Sequence, residues 1–418
     1  MRKNRLIALQ SWVPVALQGQ GLLLCLLYVL YYLSQVSWTP FLSVYYREMH
    51  LSGLQIGTLS GIGPAVMLLS QPLWGLIADL HGRRRTLLFT MLAAVCLLPG
   101  FAWPGGYWFF FIWAIAHGFL FNPVSPLIDS LVLDHLERLR AVSFGQMRLW
   151  GAVGWALGAF TVGRAIAGRD IRLIFAFGTG FLLMAWWVAW RTTRTAAETV
   201  TLGKGLRGAG ALLGNRQLVT FLALIVLMQL GTAAIWTFHP IYLTELGAPR
   251  SYVGHAISIR GLSEIPIWLV SAAIFRRIGS RWTLRLTFFV FAARVLAYSI
   301  IKVPVLAMAV EATHGISFSL FLAASVDYIH HLVPREWRAT GQALLTAAFF
   351  GAGGILGNTL SGYLYDHLGV QPMYRINASI VLAVALVALV ALREPRPAKS
   401  IPGPPAAPDL PRNNRLPV

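Results

Sequence analysis

Long apolar runs, separated by short stretches of charged, Gly or Pro residues, make up most of the chain. Twelve such runs lie at approximately 19–46, 53–80, 86–103, 107–133, 144–166, 171–190, 218–245, 252–276, 284–301, 304–333, 340–365 and 371–392. A helix needs about 20 apolar residues to cross a bilayer, and in hydrocarbon only helices or closed barrels satisfy the backbone. No strand-like alternation competes, so the pattern predicts an all-α membrane protein with twelve transmembrane helices.

The composition excludes a soluble enzyme. Of the 418 residues, 57% are hydrophobic and 12% are charged, whereas a soluble domain carries roughly a quarter charged residues. The two cysteines, Cys25 and Cys96, lie inside apolar runs and imply no disulfide framework. The sequence contains no P-loop, no metal-spaced Cys/His cluster and no G-x-S-x-G motif, so we expect neither an enzyme nor a metal or cofactor.

The distribution of basic residues predicts the orientation in the membrane. The net charge is +19, but the basic residues lie between apolar runs, which favours an anionic membrane leaflet over nucleic acid as their partner. Of the 34 Lys and Arg residues, 24 fall on the side that holds both termini and 7 on the opposite side. The positive-inside rule therefore predicts cytoplasmic N- and C-termini in a multi-pass protein of the plasma or inner membrane.

An internal repeat divides the predicted helices into six plus six. His117-Gly118 recurs as His314-Gly315, Asp129 answers to Asp327, and related pairs lie 196 to 200 residues apart. An even number of helices per repeat keeps the same orientation, so we expect two parallel six-helix bundles around a central cavity, an architecture typical of transporters. The predicted units are an N-terminal bundle (1–190), a basic cytoplasmic linker (191–217), a C-terminal bundle (218–392) and a Pro-rich disordered tail (393–418).

The loop after predicted helix 2 contains Gly75, Asp79, Gly82, Arg83 and Arg84 in the order G-x-x-x-D-x-x-G-R-R. This spacing resembles the signature of the major facilitator superfamily. The stretches 145–151 and 362–366 are similar to the group that contains bacterial 3-phenylpropionate transporters, which is in turn similar to lactose permease. The resemblance covers nearly the whole chain and implies a secondary transporter. We expect a monomer that contacts membrane lipid and binds a small-molecule substrate.

Asp79 lies at the C-terminal end of predicted helix 2, where the partial negative charge of the helix disfavours an acid. The resemblance implies that Asp79 docks at the start of predicted helix 11, near Thr340, and locks the outward-facing state, with Arg83 and Arg84 joining it. The alternative is a basic loop that serves only the topology.

Asp129 and Arg148 lie at equal distances from the turn near residue 138. At 1.5 Å per residue they reach a similar depth, so we expect an ion pair that acts either as a static brace or as a moving gate. Asp327, the repeat partner of Asp129, has no arginine in the matching position. Its candidate partners are Arg281, Arg285 and His331.

Arg294 and Glu311 flank the turn between predicted helices 9 and 10 in the same way, and His314 lies one turn from Glu311. Buried carboxyl and imidazole groups beside an arginine form a candidate proton relay. In lactose permease the corresponding helices carry the Arg, His and Glu of proton coupling. Arg294 and His314 match that pattern, but the acid comes one turn earlier, and Ser317 lies three residues past the histidine. The alternative is a structural ion pair.

Three further sets of polar residues are candidates for substrate or proton contact. Glu264 lies near the membrane midplane, although Arg260, four residues earlier, offers a neutralising partner. Tyr28 and Gln35 share a face of predicted helix 1, which suits a cyclic organic substrate or a packing stripe. Asn122 is a polar candidate in predicted helix 4.

Taken together, the sequence predicts proton-coupled uptake of a small organic solute, such as an aromatic acid, a sugar or a nucleoside, by alternating access. The proton gradient takes the place of a cofactor. The main alternative is proton-antiport efflux of amphipathic compounds. A membrane-embedded enzyme would need a cluster of catalytic groups, and a transport-dead sensor would usually carry an extra soluble domain.

Overall fold

The computed structural model describes residues 19–136, 144–192, 212, 214–334 and 337–394. Within these ranges it contains twelve long helices, as the apolar runs predict. In the N-terminal half they are α1 (Gly19–Glu48), α2 (Gly53–His81), α3 (Arg83–Ala102), α4 (Tyr107–Leu136), α5 (Phe144–Ala165) and α6 (Leu173–Arg191). In the C-terminal half they are α7 (Arg216–Thr237 and His239–Glu245), α8 (250–278), α9 (280–300), α10 (Pro304–Leu332), α11 (338–368) and α12 (Val370–Ala391).

Ten of the described helices are long and apolar enough to cross a membrane. The other two, α5 and α8, are less apolar for a structural reason, because they face each other across the molecule. α5 carries five glycines and Arg148, and α8 carries Arg260 and Glu264. Most of the predicted linker and tail (193–211, 213 and 395–418) lies outside the described residues, so the domain boundaries remain predictions.

The turn between α8 and α9 is much tighter than the sequence pattern indicates. The apolar runs end near residue 276 and resume near residue 284, and the structure extends both helices into this interval. The helical backbone is interrupted only at Gly279, whose φ of 75° lies in the left-handed region. Glycine reaches that region without steric cost, so a single residue changes the direction of the chain.

The two halves pack tightly at one end of the molecule. We call the end at which α1 begins and α12 finishes the terminal face, and the opposite end the far face. Near the far face, a Cβ on Gly57 of α2 would lie 2.2 Å from the Asn358 carbonyl oxygen of α11, and a Cβ on Gly163 of α5 would lie 2.9 Å from Gly254 of α8. Only glycine permits such backbone approach, so both contacts between the halves depend on small residues.

Within the N-terminal half, Gly154 of α5 lets α1 approach in the same way. A Cβ at Gly154 would lie 2.4 Å from the Val29 carbonyl oxygen, whereas a Cβ at Gly180 of α6 meets no atom within 4 Å. We expect Gly154→Ala to lower the melting temperature, because overpacking costs about 1–3 kcal/mol. Gly180→Ala should leave it unchanged or raise it slightly. Thermal unfolding of the two purified variants checks this, and equal melting temperatures would contradict the packing account.

Candidate substrate and proton-coupling site

A cavity of about 660 Å³ lies between α5 and α8 in the half of the molecule nearer the terminal face. At the far face the same two helices are in contact, since the Ser258 hydroxyl donates to the Ala156 carbonyl oxygen at 3.1 Å. The cavity is therefore closed toward the far face. Its lining residues are Tyr32, Phe144, Gly145, Arg148, Leu149, Gly151, Ala152, Trp155, Gly261, Glu264, Ile265, Trp268 and Leu269.

Arg148 carries the positive charge of the N-terminal wall. Its Nη1 donates to both carboxylate oxygens of Asp129, at 2.5 and 2.6 Å, and the Tyr28 hydroxyl donates to the same carboxylate at 2.8 Å. The guanidinium carbon lies 5.4 Å from the centre of the Tyr32 ring. Tyr28 is buried and holds Asp129, whereas Arg148 and Tyr32 face the cavity.

Glu264 carries the negative charge of the opposite wall. Its side chain is 28% exposed, and its Oε1 lies 3.3 Å from Nε2 of the fully buried His314. The indole N–H of Trp268 donates to its other oxygen at 3.4 Å. Arg260, the neighbour that the i,i+4 spacing offers, points instead to a different acid. Glu264 is therefore the link between the cavity and a buried polar cluster.

The contact between Glu264 and His314 depends on the close approach of α8 and α10. The Gly315 N–H donates to the Ser263 hydroxyl at 3.0 Å, and a Cβ on Gly315 would lie 2.1 Å from the Ser263 carbonyl oxygen. Gly315 also begins a π-helical segment that ends at Ser319, and such segments are frequent at functional sites. The glycine thus places His314 beside Glu264.

Glu311 is the centre of the buried cluster, with no exposed surface. Arg260 binds both of its oxygens, at 2.8 and 3.1 Å. Arg294 donates at 2.5 Å and the Tyr298 hydroxyl at 2.7 Å, and Nε2 of His239 lies 3.3 Å away. A buried charge must be paired and hydrogen-bonded, and Glu311 meets this condition with donors from α8 and α9.

The hydrogen bonds fix the tautomer of His314. Nη1 of Arg294 lies 2.8 Å from His314 Nδ1, and a guanidinium can only donate. Nδ1 therefore accepts, and the proton of the neutral ring is assigned to Nε2, the atom that faces Glu264. Arg294 also donates to the Ser317 hydroxyl at 3.2 Å. The arrangement is a chain of polar contacts from the cavity through Glu264, His314 and Arg294 to Glu311.

The remaining polar candidates outside the signature loop do not line the cavity. The Asn122 amide donates to the Gly63 carbonyl oxygen at 3.0 Å and joins α4 to α2. Gln35 is half-buried on α1 and is not among the cavity-lining residues. Asp327 lies 3.6 Å from His331 on its own helix. The other two candidates bind elsewhere, Arg281 to Glu394 and Arg285 to carbonyl oxygens of α12 and the residue that follows it.

The signature loop lies at the terminal face. Gly82 has a φ of 95° and ends α2, seven residues after Gly75. Asp79 lies 3.9 Å from Arg83, which also pairs with Asp134, and Arg84 donates to the Trp190 carbonyl oxygen. Among the described residues, no hydrogen bond joins Asp79 to the start of α11.

The expected docking of Asp79 is thus not formed in this structure. The close contacts of α2 with α11 run from the far face to Leu68, which lies 3.0 Å from a Cβ built on Gly351. Asp79 comes about three helical turns later, at the end where the cavity opens. The structure therefore corresponds to the state in which an Asp79 lock would be released.

The sequence matches the family profile described as "MFS_1 like family" over residues 22–376. The chain belongs to this family. It is therefore a transporter of the major facilitator superfamily, not an enzyme. The match covers α2 to α11 completely and most of α1.

Two curated relatives and one solved structure illustrate the range of the similarity. The maltose permease of Geobacillus stearothermophilus is 28% identical over 85% of this chain and 90% of its own. The probable 3-phenylpropionic acid transporter of Escherichia coli (strain K12) is 26% identical over 88% of this chain and 95% of its own. The crystal structure of the nucleoside transporter NupG (D323A mutant) gives a TM-score of 0.83 at 17% identity, over 90% of this chain and all of that one.

Sequence reasoning missed the two tryptophans of the cavity lining. Trp155 lies seven residues after Arg148, and Trp268 lies four residues after Glu264. Each tryptophan therefore shares a helix face with a charged residue that was singled out. These spacings could have identified both tryptophans from the sequence.

The charges of the buried cluster predict unequal effects of two isosteric substitutions. Glu311→Gln leaves two buried guanidinium groups without their counter-ion, and breaking a buried pair costs about 3–5 kcal/mol. Glu264→Gln changes a cavity-facing group and should cost much less. We expect a clearly lower melting temperature for Glu311→Gln than for Glu264→Gln, with the exposed Asp170→Asn as a reference. Equal melting temperatures for all three would contradict the central position of Glu311.

Proposed function

We propose that this transporter couples the movement of a small organic solute to protons through Glu264. The observation that carries the proposal is that Glu264 lines the cavity and also contacts His314. Membrane-embedded carboxylates are costly and are usually functional. A carboxylate that reaches both solvent and a buried polar cluster can exchange a proton with the cavity and change the charge balance of the cluster.

Glu311 has a different role in this proposal. Two guanidinium groups and the Tyr298 hydroxyl already donate to its carboxylate, which is fully buried. A proton on Glu311 would have to displace one of these donors. Glu311 is therefore the permanent counter-ion of Arg260 and Arg294, and Glu264 is the acid that takes up and releases the proton.

Charge balance supplies the coupling. With Glu264 ionised, two glutamates balance the two arginines of the cluster. Protonation of Glu264 leaves one positive charge of the cluster uncompensated beside the cavity. A solute that contacts Arg148 on one wall and Glu264 on the other also draws the halves together at the terminal face. Under the predicted orientation, the cavity opens to the cytoplasm in the state described.

The aromatic lining indicates a solute that contains a ring. Tyr32, Trp155 and Trp268 offer flat faces, and Arg148 and Glu264 offer polar partners. Such pockets combine apolar walls with a few polar groups that fix orientation. Maltose, 3-phenylpropionic acid and nucleosides, the compounds named for the relatives, all contain rings, so a sugar, an aromatic acid or a nucleoside is the proposed class.

Transport into proteoliposomes tests the proton coupling. We expect the wild-type protein to accumulate solute only with a proton gradient. Glu264→Gln should lose accumulation, because the amide cannot titrate, but should keep exchange of labelled for unlabelled solute. Asp170→Asn, an exposed acid at the far face, is the matched control and should behave as wild type. Gradient-independent accumulation would disprove proton coupling. Full accumulation by Glu264→Gln would show that Glu264 is not the proton-binding acid.

Efflux by proton antiport is the second candidate, and one observation favours it. Most of the lining side chains are aromatic or aliphatic, and Glu264 is the single acid among the lining residues. The sign of the gradient separates the two directions. Symport fills vesicles when the outside is acidic, whereas antiport fills them when the lumen is acidic.

A ligand-stabilisation screen tests the substrate class. Maltose, 3-phenylpropionate and uridine are each added to the purified protein, since a ligand at 100 times its Kd stabilises by about 2.7 kcal/mol. We expect a compound that stabilises the wild type to lose its effect in Trp155→Ala and Trp268→Ala. Trp108→Ala, on the exposed surface of α4, should keep it. Equal stabilisation of all three variants would show that the two rings do not contact the solute.

A further inference from the structure

The start of α2 at the far face is completed by a residue from the other half of the molecule. Ser52 caps the helix, since its hydroxyl accepts from the Gln55 N–H at 3.2 Å and its carbonyl oxygen accepts from the Ile56 N–H at 2.9 Å. The N–H groups of Gly53 and Leu54 have no partner in their own helix. Both donate to the carboxylate of Asp366, at 2.5 and 2.8 Å.

Asp366 lies in the last turn of α11, and this position strengthens its hydrogen bonds with the start of α2. The C-terminal end of α11 disfavours an acid, whereas the N-terminal end of α2 favours one. Charge-assisted hydrogen bonds are roughly twice as strong as neutral ones. The carboxylate is therefore stabilised by docking on α2 and destabilised when the two helices separate.

The surrounding residues are shaped for this contact. A Cβ on Gly53 would lie 2.8 Å from the Gly362 carbonyl oxygen, and a Cβ on Gly362 would lie 2.2 Å from the Gly53 carbonyl oxygen. The Tyr365 hydroxyl donates to Glu245 of α7, and the Arg47 guanidinium lies 5.4 Å from the Tyr365 ring centre. Two glycines thus bring the backbones together at the place where the carboxylate docks.

The opposite end of the same helix pair has the complementary arrangement. α2 and α11 run antiparallel, so at the terminal face α2 ends and α11 begins. Asp79 lies near the end of α2, and the N-cap residue of α11, Trp337, makes no side-chain capping hydrogen bond. In the structure described, the carboxylate at the far face is docked and the one at the terminal face is not.

We propose that Asp366 is a gate residue that latches the far face closed, and that its release accompanies docking of Asp79 at the start of α11. Each end of the α2–α11 pair then carries a carboxylate that docks on the other helix only when that end is closed. The proposal rests on alternating access but not on proton coupling, because it concerns only which face opens.

Labelling of a single cysteine tests the latch without any transport measurement. Cys25 and Cys96 are replaced by alanine, and Ile257→Cys is introduced as the reporter. Ile257 is 4% exposed and packs against Val36 and Ala159 of the other half, so it becomes reactive when the far face opens. The readout is its reaction rate with a hydrophilic maleimide in the purified protein.

Asp366→Ala should raise the labelling rate at least about tenfold, which corresponds to about 1.4 kcal/mol. Asp79→Ala should lower the rate or leave it unchanged, and the double variant should fall between the single ones. Asp170→Ala is the control, because it removes another acid at the far face, one that accepts a hydrogen bond from the Arg172 N–H on its own segment. Its labelling rate should equal that of the reporter alone. The same rate in Asp366→Ala and Asp170→Ala would overturn the proposal.

A second variant leaves Asp366 in place and removes one donor. Leu54→Pro deletes a single N–H in the first turn of α2, where proline is tolerated. We expect a smaller rise in labelling than with Asp366→Ala, because one of the two hydrogen bonds remains.

If Asp366→Ala does not fold, the proposal is tested by Leu54→Pro alone. A labelling rate in Leu54→Pro equal to that of the reporter alone would overturn the proposed latch. If Glu264→Gln fails to affect accumulation while the labelling results hold, the proton proposal fails and the latch stands.

Discussion

A single fully buried carboxylate, Glu311, organises the C-terminal half of this transporter. Its charge cannot stay in the membrane interior without compensation, so Arg260 of α8 and Arg294 of α9 must both reach it. These two arginines in turn constrain their surroundings. Arg294 fixes the ring of His314, and Arg260 is drawn away from Glu264, which is left facing the cavity. The proposed proton-binding acid is accessible because the nearest arginine is held elsewhere.

The sequence repeat extends to the packing of aromatic side chains around one histidine in each half, but only the C-terminal half adds charged residues to it. Trp38 and Phe121 surround His117 at ring distances of 5.2 and 5.1 Å. Trp236 and Phe318 surround His314 at the same two distances. At the offset of 197 residues that separates the histidines, however, the positions of Arg294, Glu311 and Glu264 hold Leu97, Ala114 and Met67. Both halves keep the aromatic frame around a histidine, and one half adds charges to it.

Much of the fold and part of the site follow from the sequence. Twelve apolar runs predict twelve helices, and equal distances from a turn correctly place Asp129 beside Arg148 and Arg294 beside Glu311. The convergence of α8, α9 and α10 at Glu311 leaves no comparable spacing in the sequence. The pairing of Arg260 with Glu311 and of Glu264 with His314 depends on the approach of α8 to α10 at Gly315. The tightness of the turn at Gly279 also could not be predicted, because charge density marks the membrane surface but not the number of residues in a turn.

The one-residue break at Gly279 also has a mechanical meaning. α8 forms a wall of the cavity and bears Glu264, while α9 bears Arg294, and there is no slack between them. In the proposed alternating access, a swing of α8 that closes the cavity moves α9 as well, since a single residue separates the two helices. In the proposed transport cycle, Glu264 and Arg294 therefore move together on that hairpin, so their contacts with the buried cluster are remade at the same time.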